Sequence, residues 1–133
     1  MPMKILVADD DRLLRESITQ LLTKLGHEVM EAEDGVHAMK LLEDNPDISA
    51  DITDMQMPRA SGLDLLQYMF RRNITPSTYV HSGESSFLFN GDYWQLSQDI
   101  ETYFGTFASF RLKVPGMMQD ISDFVASLST ATT

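Results

Sequence analysis

The sequence predicts an α/β domain: a five-stranded parallel sheet with helices packed on both faces. Two observations lead there. Short apolar, β-branched runs alternate about five times with segments of helical periodicity, as in strands joined by crossover helices. The apolar runs also stop abruptly at acidic or polar residues, which is how strands buried on both faces read at their carboxyl ends. The chain has 133 residues, 43% of them apolar, enough to close one core at a size where roughly two thirds of the surface is buried.

Lys4–Ala8 is the first such run and ends in Asp9-Asp10-Asp11. From Leu13 the period changes: Leu13, Leu14, Ile18, Leu21, Leu22 and Leu25 recur at helical spacing, and Gly26 stands where a helix C-terminal glycine belongs. Glu28–Ala32 is the second strand, followed by a turn at Asp34-Gly35. A helix with Ala38, Leu41 and Leu42 on one face stops near Asn45-Pro46. Ile48–Thr53 is the third strand, ending at Asp54. A loop with Pro58 and Gly62 leads to a helix whose apolar positions are Leu63, Leu66, Met69 and Phe70. Ser77–Ser82 and Phe107–Val114 are the fourth and fifth strands. Pro115 opens a last helix striped by Met117, Met118, Ile121, Phe124, Val125 and Leu128. One domain spans 1–133, with its core at about 3–128 and 129–133 as a disordered tail.

Composition narrows the function. The formal net charge is −10, which argues against direct DNA contact, since phosphate backbones are bound by clustered Lys and Arg. There is no cysteine, hence no disulfide framework, which fits a reducing, cytoplasmic setting. No apolar run reaches the roughly 18 residues of a membrane span, and the N-terminus does not read as a signal peptide.

In open parallel sheets the site lies beyond the carboxyl ends of the strands. Asp9, Asp10, Asp54, Ser82 and Lys113 all fall there. Carboxylates gathered from two strand ends repel one another unless a cation sits among them, and an all-oxygen set with room for water and phosphate suits Mg²⁺. A carboxylate can also attack phosphorus, with a nearby ammonium neutralising the phosphoryl oxygens. Asp11 reads as a helix N-cap, His27 and His37 as surface residues and the nine Met as core filler. His81 stands beside Ser82 as a second candidate for the polar residue that faces the site.

Ile5-Leu6-Val7-Ala8-Asp9-Asp10-Asp11, Thr53-Asp54-Met55-Gln56-Met57-Pro58, Gly62, Ser82-Gly83 and Lys113, in this order at successive strand ends, resemble the receiver domain of two-component response regulators, and specifically the single-domain, chemotaxis-regulator-like kind. The resemblance implies the flavodoxin-like strand order 2-1-3-4-5. It implies phosphorylation of Asp54 by a sensor histidine kinase or phosphotransfer protein. Mg²⁺ would be held by Asp9 (through water), Asp10, Asp54 and the Gln56 backbone carbonyl. Ser82 and Lys113 would contact the phosphoryl group, with Ser82 and Phe110 as the switch pair. Such a domain is not an enzyme in the ordinary sense, because it catalyses only its own Mg²⁺-dependent phosphorylation and dephosphorylation. It signals through a protein surface to a downstream partner, a second copy of the chain being one candidate.

Three features depart from that pattern. Asp51 stands mid-strand where an aliphatic residue is usual, so it should be displaced to an edge, paired or protonated. Val114 separates Lys113 from Pro115, where the family has them adjacent. The Ser82–Lys113 stretch is long, and its Asn90-Gly91 between apolar flanks signals a β-hairpin inserted between the fourth strand and a helix running from about Ser97 to Gly105. Phe87, Phe89, Tyr93 and Trp94 on that hairpin form an expected partner surface. The alternative function is a receiver-like module that is never phosphorylated and binds its partner constitutively.

Overall fold

A computed structural model describes residues 2–82, 108–112 and 116–131. The expected hairpin with Phe87, Phe89, Tyr93 and Trp94, the Ser97–Gly105 helix, Lys113, Val114 and Pro115 lie outside the described residues, as do the side chains of Phe110 and Arg111.

Five strands, β1 (Lys4–Ala8), β2 (Glu28–Ala32), β3 (Ala50–Asp54), β4 (Ser77–Ser82) and β5 (Ala108–Leu112), form one sheet in the order β2-β1-β3-β4-β5. Every neighbouring pair is parallel. Four helices are described: α1 (Arg12–Lys24), α2 (Gly35–Asp44), α3 (Gly62–Arg71) and α4 (Met117–Ala131). This is the flavodoxin-like order expected from the sequence.

Alternation along the strands divides the core. Leu6, Ala8 and Val80 pack against Ala38 and Leu42 of α2 and Leu65, Leu66 and Met69 of α3. Ile5, Val7, Ala50, Ile52 and Tyr79 pack on the other face against Ile18 and Leu22 of α1 and Met117, Ile121 and Val125 of α4. At Gly26 the backbone takes φ +93°, the left-handed turn that ends α1.

Some expected positions differ. Ser61 caps α3 in a capping box with Asp64, so the helix begins at Gly62 and its buried stripe runs Gly62, Leu65, Leu66, Met69. Phe70 is turned off that stripe and is 56% exposed, while Leu63 only borders the core. Leu13 and Leu25, at the two ends of α1, are exposed rather than part of its apolar face. The last helix continues to Ala131, past Ser129, because no Gly or Pro interrupts it. His27 is no plain surface residue: its Nδ1 accepts the Met3 N–H at 3.0 Å, and partial burial lowers its pKa.

Asp51 lies at the centre of the sheet, in register with Leu6 on β1 and Thr78 on β4, so displacement to an edge does not occur. It is completely buried and is partly satisfied by its own strand, where Thr53 Oγ1 donates to Asp51 Oδ1 at 2.6 Å. Burial pushes its pKa up to about 7.

Candidate functional site

Three strand ends build the site at the carboxyl edge of the sheet. Asp9 follows β1 directly and is fully buried. Its main chain continues the sheet, donating to Ala32 O at 3.0 Å, while its Oδ1 accepts the Asp11 N–H at 2.8 Å. That bond turns the chain sharply, and Asp11 then caps α1 by accepting from Leu13 N and Leu14 N, as its sequence position predicts. Asp10, between them, faces solvent.

Asp54 is the last residue of β3 and only 4% exposed. Its Oδ1 accepts the Gln56 N–H at 3.2 Å, so the chain folds back over the carboxylate as it leaves the strand. Asp9, Asp10 and Asp54 each offer a carboxylate oxygen, and these atoms lie within 4.8 Å of one another. Like charges this close are unfavourable without a counter-charge. The donor set is all oxygen, with one exposed member leaving an approach from solvent. These donors fit a hard divalent cation such as Mg²⁺, and the cluster could hold a metal ion.

Two basic groups border the carboxylates. Arg15, one turn into α1, donates from Nη1 to the Asp9 carbonyl at 2.7 Å and from Nε to Glu31 Oε1 at 3.1 Å. Nothing in the sequence marked Arg15, since an arginine in a first helical turn reads as a solvated face. His81 is fully buried, in register with Asp54, and its Nε2 lies 3.6 Å from Asp9 Oδ2. His81 at the end of β4 thus stands beside the Asp9 carboxylate. Ser82 is also buried and pairs with Leu112.

Phe110 occupies β5 opposite Val80, and Lys113 is next in sequence after Leu112, where β5 ends. The loop after Asp54 is tightly seated. Gly62 N donates to Met55 O at 2.9 Å, and a Cβ on Gly62 would lie 2.6 Å from the Asp54 carbonyl oxygen.

A five-stranded parallel sheet in the order 2-1-3-4-5, with an acidic cluster at its carboxyl edge, defines a flavodoxin-like α/β domain. Comparison with known proteins narrows it. Residues 5–89 match the family model for the response regulator receiver domain, and the chain belongs to that family. It is 48% identical over 66 residues to a chemotaxis protein CheY homolog of Campylobacter jejuni, an alignment covering 49% of this chain and 51% of that protein. It is 44% identical over 70 residues to the response regulator MprA of a Mycobacterium species, covering 52% of this chain and 30% of that protein. The matched region spans about half the length of the chemotaxis relative and less of MprA.

Solved structures share the architecture. The Francisella response regulator 1452 receiver domain superposes with a TM-score of 0.83 at 24% identity, over 98% of this chain and 99% of that one. A receiver domain protein from Clostridium thermocellum gives 0.78 at 26% identity, over 94% and 92%. A CheX-CheY-BeF3-Mg²⁺ complex from Borrelia burgdorferi gives 0.79 at 21% identity, over 96% and 90%. Among the described residues no helix is long and apolar enough to cross a membrane.

Proposed function

We propose that this chain is a phosphoacceptor receiver, taking a phosphoryl group on Asp54 and changing a protein-binding surface in response. The observation that carries the reading is the convergence of Asp9, Asp10 and Asp54 carboxylate oxygens within 4.8 Å at the ends of two adjacent strands. Asp54 is the member best suited to be the nucleophile, because it ends the central strand and its carboxylate is already oriented by the Gln56 N–H.

Asp10, Asp54 and the Gln56 carbonyl would hold Mg²⁺ directly and Asp9 through water. When bound, the cation supplies neutralisation of the charge on the phosphoryl oxygens. The transfer itself is simple. An Asp54 carboxylate oxygen forms a bond to phosphorus as the P–N bond of a donor phosphohistidine breaks, and the released imidazole nitrogen takes up a proton. Lys113 would pair with the phosphoryl oxygens. Ser82 would respond to the phosphoryl group and Phe110 would reorient with it, altering the face that includes β5 and α4. The donor is a sensor histidine kinase or phosphotransfer protein. The receiver of the signal is a downstream protein, or a second copy of the chain, meeting the surface that includes Phe87, Phe89, Tyr93 and Trp94. The −10 charge and the absence of cysteine favour a cytoplasmic setting.

A second reading, constitutive binding without phosphorylation, is favoured by one observation, the uncommon carboxyl group of Asp51 buried three residues before Asp54 in the same strand. Intact mass after incubation with acetyl phosphate or phosphoramidate separates the two. A gain of one phosphoryl group that needs Mg²⁺, is blocked by chelator and is absent from Asp54→Asn supports the receiver chemistry. No gain from either donor favours the constitutive module.

A further inference from the structure

Arg59 lies in the loop between Asp54 and α3 with φ +70°, a left-handed conformation unfavourable for any residue that carries a β-carbon. Its guanidinium grips one oxygen on the far side of a 25-residue separation. Nε and Nη2 both donate to Asp34 Oδ2, at 3.1 and 2.5 Å. Asp34 is buried, and its other oxygen caps α2 by accepting the His37 N–H at 2.8 Å. That backbone bond first, and Arg59 second, hold the Asp34 carboxyl below the usual range.

The backbone beside this pair leaves no slack. A Cβ on Gly35, the first residue of α2, would lie 2.3 Å from the Ala60 carbonyl oxygen, so the loop rests directly on the helix terminus. The same loop is fixed at its ends, by Gln56 N on Asp54 Oδ1 and by Gly62 N on Met55 O. Between those ends the side-chain tie across to α2 is Arg59 to Asp34.

We propose that Arg59 and Asp34 form a latch that fixes the shape of the 55–61 loop, presents the Gln56 carbonyl to the cation and so sets cation affinity and phosphoryl acceptance. Arg59 is in this sense a positioning residue, and the inference rests on the reading of the acidic cluster given above. Outer groups that orient a metal ligand commonly change affinity by ten- to a hundredfold, and the exposure of Arg59 places this one at the lower end.

The test is a titration of the whole chain with Mn²⁺, followed by electron paramagnetic resonance with Mg²⁺ as competitor, alongside phosphoryl uptake from acetyl phosphate. Arg59→Ala and Arg59→Gly should bind the cation about three- to tenfold more weakly than the parent, and Arg59→Lys, which keeps the charge without the fork, should recover only part of the loss. Arg59→Gly also removes the left-handed strain, so a loss it shares with Arg59→Ala does not come from that strain. The sign is diagnostic: a mere positive charge near a cation repels it, and deleting one would tighten binding. Tighter or unchanged binding in both variants overturns the latch. So does an equal loss in Arg72→Ala, which breaks the ion pair to Glu43 at the opposite end of α3 and should leave the cation alone. A parent chain that neither binds cation nor takes phosphate overturns the reading of the cluster itself.

Discussion

Thr53 donates its hydroxyl to Asp51 Oδ1 at 2.6 Å, and both side chains are enclosed within the central strand of the sheet. Among the described residues Asp51 Oδ2 has no hydrogen-bond partner. The neutral carboxylic acid is thus the form this position tolerates. Burial raises its pKa from 3.8 to about 7, with the Thr53 bond opposing the shift. The native state then holds a proton that the unfolded chain releases near pH 4. The stability linked to this group is complete below pH 4 and is lost as the pH rises through about 7. A displacement of that size corresponds to ~4 kcal/mol between the two limits. Asp51→Asn removes the titration, so its melting midpoint should gain on that of the parent between pH 5 and pH 8. Parallel pH profiles for the two proteins would dismiss the account.

The acidic cluster makes a different demand. With Asp9, Asp10 and Asp54 oxygens within 4.8 Å, repulsion is relieved either by a cation or by removing a charge. Asp10→Asn should therefore melt at or above the parent in chelator. Mg²⁺ at a hundred times its dissociation constant should stabilise the parent by about 2.7 kcal/mol, and the variant far less at the same concentration. Thermal melts with and without Mg²⁺ decide it, and an equal gain in both proteins would exclude Asp10 as a ligand.

Two glycines answer to different constraints. At Gly62 a Cβ would press on backbone, 2.6 Å from Asp54 O and 2.9 Å from Met55 Cα, so Gly62→Ala must displace the strand end that carries Asp54. We expect a cost of about 1–3 kcal/mol together with loss of phosphoryl uptake. At Gly26 there is open space but φ is +93°, so Gly26→Ala should cost about 1 kcal/mol through backbone strain and leave uptake intact. Urea midpoints and phosphoryl stoichiometry, measured together, separate the two effects. Uptake retained in Gly62→Ala would mean that the strand end yields more freely than its contacts indicate.

The sequence displayed most of this architecture because parallel strands advertise themselves as short apolar runs, and the rule for their carboxyl ends then pointed to Asp9, Asp10 and Asp54. The strand ending at Ser82 is legible to the residue, but the direction of its side chains is not. Tyr79, Val80, His81 and Ser82 are all buried, so no polar alternation reveals which of His81 and Ser82 faces Asp9. Phe70 departs from its expected place because the helical stripe is anchored by Gly62, whose contribution is closeness rather than apolar bulk. The Arg59–Asp34 pair was invisible for another reason: both residues read as turn and surface types, and only the fold brings positions 25 apart into contact.

Tyr79 links the middle of β4 to α4. Tyr79 is buried, its hydroxyl donates to Asp120 Oδ2 at 2.6 Å, and its ring tilts against Phe124 with centroids 5.5 Å apart. Two contributions are therefore separable. Tyr79→Phe keeps the ring packing and removes only the charge-assisted bond; Asp120 is exposed and can be rehydrated, so the loss should be about 1–2 kcal/mol. Tyr79→Ala removes the ring as well and leaves a cavity between sheet and helix, which should cost about 3–5 kcal/mol. Because the hydroxyl is a polar tie between β4 and the first turn of α4, its removal should act locally as well as globally. Amide exchange in the first two turns of α4 should quicken in Tyr79→Phe while β1 and β3 keep their protection. If Tyr79→Phe matches the parent in both stability and α4 exchange, water replaces the bond at no cost, and apolar packing holds the helix.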